Sequence, residues 1–237
     1  MLKCTICGHT EFKRANVLWP LLIEQWEINA EEVDYINRQQ GETCTHCGAS
    51  LRVVALGKAV QKGLNDNRPL KEIASTREPA RWFKKPAEPV RILDVNGAAT
   101  ISDVMSAMPG YIRGDYPDVD MMNMSFADNS FDMILHSDTL EHVSDPVRAL
   151  SECHRVLKPG GCVCFTIPMI VGRLTRSRDG LEPSYHGDPS SGADDWRVHT
   201  EFGADCWTYL IKAGFSDVRL FSVEYPAAHA LMGVKEG

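Results

Sequence analysis

The sequence has no run of about 18 apolar residues, so no membrane-spanning helix is expected. Its first ten residues, MLKCTICGHT, lack the apolar core of a signal peptide, so export is not expected and the cytoplasm is the expected compartment. The phosphate-cradling spacing G-x-G-x-x-G is absent, which argues against a nicotinamide enzyme. Internal repeats and low-complexity tracts are also missing. Basic charge is scarce in the second half: residues 91–237 hold 12 Lys/Arg against 21 Asp/Glu, a poor match for nucleic acid. Residues 52–85 hold nine basic side chains against three acidic ones, and read as the solvated face of a helix and linker.

What is present is 43% hydrophobic and 24% charged residues in 237, enough for one sizeable core and a smaller unit. Four of the eight cysteines form two like units, Cys4-Thr5-Ile6-Cys7-Gly8 and Cys44-Thr45-His46-Cys47-Gly48. Two residues between cysteines let both thiolates face one ion, and the glycine lets the backbone turn so that amides point at sulfur. Four soft ligands suit a tetrahedral structural zinc with no open position; disulfides are the rival reading in an oxidising compartment. His9 and His46 read as surface neighbours. Between the knuckles, Asn29 and Glu32 form a capping box and Gly41 a stop, with Val33 and Ile36 facing inward. Cys153, Cys162, Cys164 and Cys206 lack ligand spacing and read as buried thiols.

Beyond a linker with Pro69, Pro79, Pro86 and Pro89, strand and helix patterns alternate. Strands are expected at VRILDV, YIRGD (111–115), FDMILH (131–136), CVCFTIP (162–168) and VRLFSVEY (218–225). Helices are expected at Ile101–Met108, Asp145–Leu157 and Glu201–Ala213. This is an α/β chain with a Rossmann-like, doubly wound, mainly parallel sheet behind a small zinc ribbon. The expected divisions are 1–56 for the ribbon, 57–89 for a helical linker and 90–237 for the sheet domain. Ligands of such sheets collect beyond the carboxyl ends of the strands, here Asp94–Thr100, Asp115 and His136–His142. A carboxylate such as Asp115 can accept hydrogen bonds from both hydroxyls of a ribose, or can be a solvated turn acid.

The stretch Met124-Ser125-Phe126-Ala127-Asp128-Asn129-Ser130-Phe131-Asp132, then Leu140-Glu141-His142-Val143, then Arg155-Val156-Leu157-Lys158-Pro159-Gly160-Gly161 resembles the class I S-adenosylmethionine-dependent methyltransferases. The phrases Tyr185-His186-Gly187-Asp188-Pro189 and His199-Thr200-Glu201-Phe202-Gly203 resemble the end of related bacterial enzymes. Several of those also begin with a zinc ribbon closed by a phrase like Cys47–Arg52. The resemblance implies S-adenosylmethionine as cofactor. It places Asp94 and Gly97 against the methionine portion, Asp115 on the ribose, and Asp120 and Met121 beside the adenine. His136 and Ser137 would approach the sulfonium end through their backbone. The family loop D-x-G-x-G-x-G has Asn96, Ala98 and Thr100 here in place of its glycines, which puts cofactor affinity in question.

A general base is sought among His142 and His199, with Asp138 and His186 as further candidates; each histidine can equally bond a backbone carbonyl or pack. Tyr185 and Trp196 either line an acceptor pocket or pack the loop 172–197, which is expected to cover the acceptor. Arg173, Arg176 and Arg178 meet either an acidic ligand group or solvent. The function expected is methyl transfer to a small-molecule acceptor such as a sugar or natural-product hydroxyl or amine. The alternatives are a non-catalytic partner subunit of the same fold and, less favoured, a nucleic-acid methyltransferase. A homo-oligomer or a partner enzyme stays open.

Overall fold

The computed structural model describes residues 1–76, 89–185 and 196–237. Pro79 and Pro86 of the expected linker, and His186 with the following Gly187-Asp188-Pro189, lie outside them. The N-terminal unit runs β1 (Phe12–Arg14), α1 (Pro20–Gln25), α2 (Ala30–Gly41) and β2 (Glu42–Cys44), with β1 and β2 antiparallel. Helix α2 starts as its sequence dictates: the Asn29 side chain accepts the Glu31 and Glu32 amides, and Glu32 accepts the Asn29 amide. Val33 and Ile36 pack half-buried against the core. Helix α1 was not expected; Pro20 opens it, where a missing N–H costs nothing.

Helix α3 (Leu51–Leu64) is capped by the Ser50 hydroxyl and closed by Asn65 at a φ of 53°. It runs unbroken through the division expected at 56/57, and most of its residues are buried. It ties the ribbon to the sheet: Val54 accepts the Thr5 hydroxyl at 2.9 Å, while Lys58 reaches the Ser222 carbonyl at 3.3 Å. The basic stretch is therefore not a solvated face throughout; Arg52 is buried. Helix α4 (Leu70–Ser75) starts on the first knuckle, its Leu70 and Lys71 amides donating to the Thr5 and Ile6 carbonyls.

The sheet domain follows as β3 (Ile92–Val95), α5 (Thr100–Met105), β4 (Tyr111–Gly114), β5 (Phe131–Ser137), a 3-10 turn (Leu140–His142), α6 (Pro146–Val156) and β6 (Leu157–Thr166). Then come β7 (Met169–Ile170), β8 (Arg176–Ser177), β9 (Thr200–Gly203), α7 (Trp207–Lys212), β10 (Asp217–Val223) and β11 (Ala228–Val234). Six strands form one sheet in the order β10-β11-β6-β5-β3-β4. The four from β6 to β4 are parallel, and β11 is antiparallel to both β6 and β10. Alternation along the strands feeds two cores. Ile92, Met133, Leu135 and Cys164 share one with α3 and α5; Leu93, Ile134, Val163 and Phe165 share the other with α6 and α7.

Two expectations are corrected. Glu201–Gly203, expected as the first turn of a helix, belongs to the buried strand β9 (Thr200–Gly203) between β7 and β8. A side chain at Gly203 would come within 2.2 Å of the Arg173 carbonyl oxygen, so the glycine serves close backbone approach, and the helix begins only at Trp207. Strand β11 was not anticipated at all.

Candidate functional site

The chain passes from β3 to β4 on one side and returns to β5 on the other, so the order of strands reverses between β3 and β5. At the carboxyl ends of these strands opens a cavity of about 550 Å³. Of the cofactor and general-base residues proposed from sequence it brings together seven: Asp115, Asp120, Met121, Ser137, Asp138, His142 and His199. Asp115 follows β4 and is accessible, with the Arg113 Nε 2.9 Å from its Oδ1. Asp120 turns one carboxylate oxygen inward to accept the Met122 amide at 2.8 Å. The Ser137 and Thr166 hydroxyls share a hydrogen bond of 2.8 Å, which fixes the end of β5.

Three proposed residues are not among those lining this cavity. Asp94 is fully buried and accepts the Ser102 and Tyr111 hydroxyls, each at 2.5 Å; its role is to brace the turn after β3. Burial pushes its carboxyl above the usual range. Gly97, at a φ of 83°, is covered by Arg113, whose guanidinium lies 3.0 Å from where a Cβ would stand. The His136 ring is fully buried and stacked on Phe165 at 4.6 Å, and burial pushes its pKa down to about 3. Only its backbone is left for any cofactor contact. Asn96, at a φ of 59°, does line the cavity and accepts the Tyr116 amide at 2.8 Å.

A second cavity, of about 270 Å³, adjoins the first and shares Asp138, His142 and Trp196 with it. One wall comes from the N-terminal unit, including Trp19, Leu22, Trp26 and Ile36; Met169 and Ile170 of β7 form another part. Arg52 of α3 reaches this cavity and is ion-paired with Asp138. Sequence reasoning missed Trp19, Trp26 and Arg52 as site residues. The signals available were the seven-residue spacing of the two tryptophans, about two helical turns, and the arginine that closes the Cys47–Arg52 phrase.

His142 stands where the cavities meet. Its Nδ1–H donates to the Arg197 carbonyl at 3.0 Å, which leaves Nε2 as the ring's acceptor when neutral. Nε2 lies 3.6 Å from a carboxylate oxygen of the buried Glu141. The backbone bond foreseen for a packing histidine is thus made, and the residue still lines both cavities. The His199 amide donates to the Glu141 carbonyl at 2.8 Å, which seats its side chain on the first cavity. Trp196 lines both cavities, while Tyr185 pairs with Arg197. Arg173 is bound to Glu32 and to the Trp26 carbonyl, and Arg176 and Arg178 both pair with Glu201. All three arginines therefore hold the fold together.

The four knuckle cysteines converge. Their sulfurs all lie within 4.8 Å of one another, and the Cys4–Cys47 and Cys7–Cys44 pairs are 3.6 Å apart. A disulfide would need about 2.05 Å. Four thiolates around a tetrahedral ion at about 2.3 Å stand about 3.8 Å apart, so the cluster fits a metal. Gly8 and Gly48 take φ values of 84° and 75°, and their amides turn back to the Cys4 and Cys44 carbonyls. His9 and His46 stack on each other at 3.8 Å. Cys153, Cys162, Cys164 and Cys206 are buried thiols. Among the described residues, no helix is long and apolar enough to cross a membrane.

Residues 87–165 match a family described as a methyltransferase domain. The chain is 32% identical over 109 residues to a dimethylglycine N-methyltransferase of Parasynechococcus marenigrum, a match covering 46% of this chain and 36% of that protein. Over 44 residues it is 54% identical to a demethylmenaquinone methyltransferase of Staphylococcus epidermidis, covering 19% of this chain and 18% of that one. These matches span little more than a third of the curated relatives' own length, or less. Among solved structures, it is similar to a SAM-dependent methyltransferase of Methanosarcina mazei, with 16% identity, a TM-score of 0.41, and coverage of 63% of this chain and 94% of that one. Residues 87–165, which follow the four-cysteine cluster, are thus similar to the methyltransferase domain family over that segment of the chain.

Proposed function

We propose that the chain transfers a methyl group from S-adenosylmethionine to a hydroxyl or amine of a small-molecule acceptor, and that its four cysteines hold one structural zinc. The observation that carries this reading is the position of His142 at the junction of two cavities, one sized for the cofactor and one for an acceptor. The cofactor supplies an electrophilic methyl on a sulfonium; the protein's part is to bind, orient and exclude water. Asp115 accepts the ribose hydroxyls, and Asp120 and Met121 flank the adenine. His142 takes the acceptor's proton at Nε2, with its tautomer set by Arg197 and the resulting positive charge stabilised by Glu141. His199 faces the same cavity as an auxiliary polar group. A small molecule suits the acidic second half better than nucleic acid does.

A specific feature favours the second reading, a non-catalytic partner subunit. Asn96 and Ala99 hold positive φ in the turn after β3, and Arg113 occupies the space over Gly97. Calorimetric titration with S-adenosylmethionine and with its demethylated product separates the two. Binding with one site per chain is expected; no heat at about millimolar ligand would overturn the enzyme reading in favour of the partner subunit.

A further inference from the structure

The second cavity carries information about the acceptor, on the basis that the first holds the methyl donor. Several of its polar groups contact one another. Asp138 and His142 are at the junction, Arg52 is paired to Asp138, and Glu141 lies beside His142. Gln40, with its amide oxygen turned toward Arg52, accepts from that guanidinium at 2.8 Å. Much of the remaining lining is apolar: Leu18, Trp19, Leu22, Trp26, Ile28 and Ile36.

Two further polar groups of the lining are already engaged. The Trp26 indole N–H donates to the Ser184 hydroxyl at 2.8 Å, and the Gln39 amide nitrogen donates to the Ala227 carbonyl at 3.0 Å. A sugar placed here would leave ring hydroxyls against carbon, at about 1–3 kcal/mol for each unmet hydrogen bond. A flat apolar ring meets no such penalty, and aromatic walls favour it by stacking. At about 270 Å³ the space suits one or two fused rings, below the ~300–1,000 Å³ of sites for drug-sized ligands.

We infer that the helices inserted between the two knuckles build the acceptor subsite, and that it takes an apolar ring compound bearing a hydroxyl, inserted hydroxyl first toward His142, rather than a polyol. The ribbon then does more than staple the N-terminus. It holds the wall that selects the acceptor.

The test titrates the metal-loaded full chain with 2-naphthol and, separately, with methyl glucoside. One saturable site for 2-naphthol and no heat from the glucoside are expected. Trp19→Ala removes one side of the mouth, and Ile36→Trp fills the cavity; each should weaken 2-naphthol by about tenfold or more while leaving S-adenosylmethionine titrations unchanged. Trp19 is 41% exposed, so its variant should fold even if the bulkier one does not. Glucoside binding without 2-naphthol binding would overturn the inference. So would the absence of any 2-naphthol site, or a site insensitive to both substitutions. Intact 2-naphthol binding in a chain that ignores S-adenosylmethionine would support the ring site and sink only the methyl-transfer reading.

Discussion

The guanidinium of Arg52, in the first turn of α3, is ion-paired with the carboxylate of Asp138, the residue after β5. Asp138 takes a φ of 52°, a conformation that needs support from its surroundings. The pair links the phrase closing the second knuckle to the junction of the two cavities. The four-cysteine unit and a strand-end loop, joined through residues 86 apart in sequence, are thereby held in one geometry.

Arg52→Met should therefore cost stability and disturb the acceptor side first. Removing one partner of a fully buried pair costs about 3–5 kcal/mol. Asp138 keeps a third of its side chain in solvent, so roughly 1–2 kcal/mol is expected here. Chemical denaturation should show that loss, and Asp138→Asn in the Arg52→Met background should recover part of it. No loss in the single variant would show that the pair does not couple the two units.

The knuckles should bind one zinc per chain, released by strong chelators and lost in Cys44→Ser. Because the ion closes a loop whose knuckles lie 36 residues apart, metal loss should unfold the N-terminal unit. α3 and α4 share bonds with the first knuckle, so the loss should also lower the melting temperature of the remainder. Metal analysis with thermal unfolding checks this; a Cys44→Ser variant melting like the parent would refute a structural ion.

Asp115→Ala tests the ribose assignment. Losing hydrogen bonds to a charged acceptor, at about 1.5–3 kcal/mol, should weaken S-adenosylmethionine by about ten- to a hundredfold. Asp115 is half-exposed, so the fold should be unaffected. Unchanged affinity in calorimetry would place the ribose elsewhere.

The parallel sheet was legible because its strands are short apolar runs ending in polar residues, and both knuckles announce themselves by spacing. The polar strand ends also located the cavity, since Asp115 and Ser137 line it, and the family resemblance added Asp120. Long-range pairing hid the rest. Ala228–Val234, AHALMGV, has no alternation and good helix formers, and becomes a strand because β6 and β10 flank it. Thr200–Gly203 follows the same rule between β7 and β8. The burial of the Asp94 and His136 side chains was hidden for a different reason. A strand-end polar residue whose side chain turns into the core looks, in sequence, like one that faces the ligand.

The turn after β3 retains backbone shapes suited to glycine although glycines are few. Ala99 sits at φ 51° and ψ −135°, a region that side chains avoid. Ala99→Gly should relieve about 1–3 kcal/mol of strain against about 0.5–1 kcal/mol of added chain entropy in the unfolded state. A net gain near 1 kcal/mol is expected, with S-adenosylmethionine binding retained or improved. A destabilised variant would show that the turn is not strained at this position.

His136 sets an acid limit on stability. Its ring is buried with neither nitrogen hydrogen-bonded, and its pKa is pushed down to about 3, against an ordinary value near 6.5. Between those values the unfolded chain binds a proton that the folded chain refuses, so stability rises with pH there and is lost as pH falls from 6.5 toward 3. His154 and His229 are shifted in the same direction by burial, so the wild type alone would not isolate the effect. Comparison with His136→Phe does, because the other histidines are common to both chains. The variant keeps the stack on Phe165 and removes two unmet polar atoms. It should match or exceed the parent at pH 7.5 and lead it by roughly a further 2 kcal/mol at pH 4.5, measured by urea unfolding at both pH values. Parallel stability profiles for the two chains would mean that His136 is protonated in the fold, and that its ring has a partner at the end of β5.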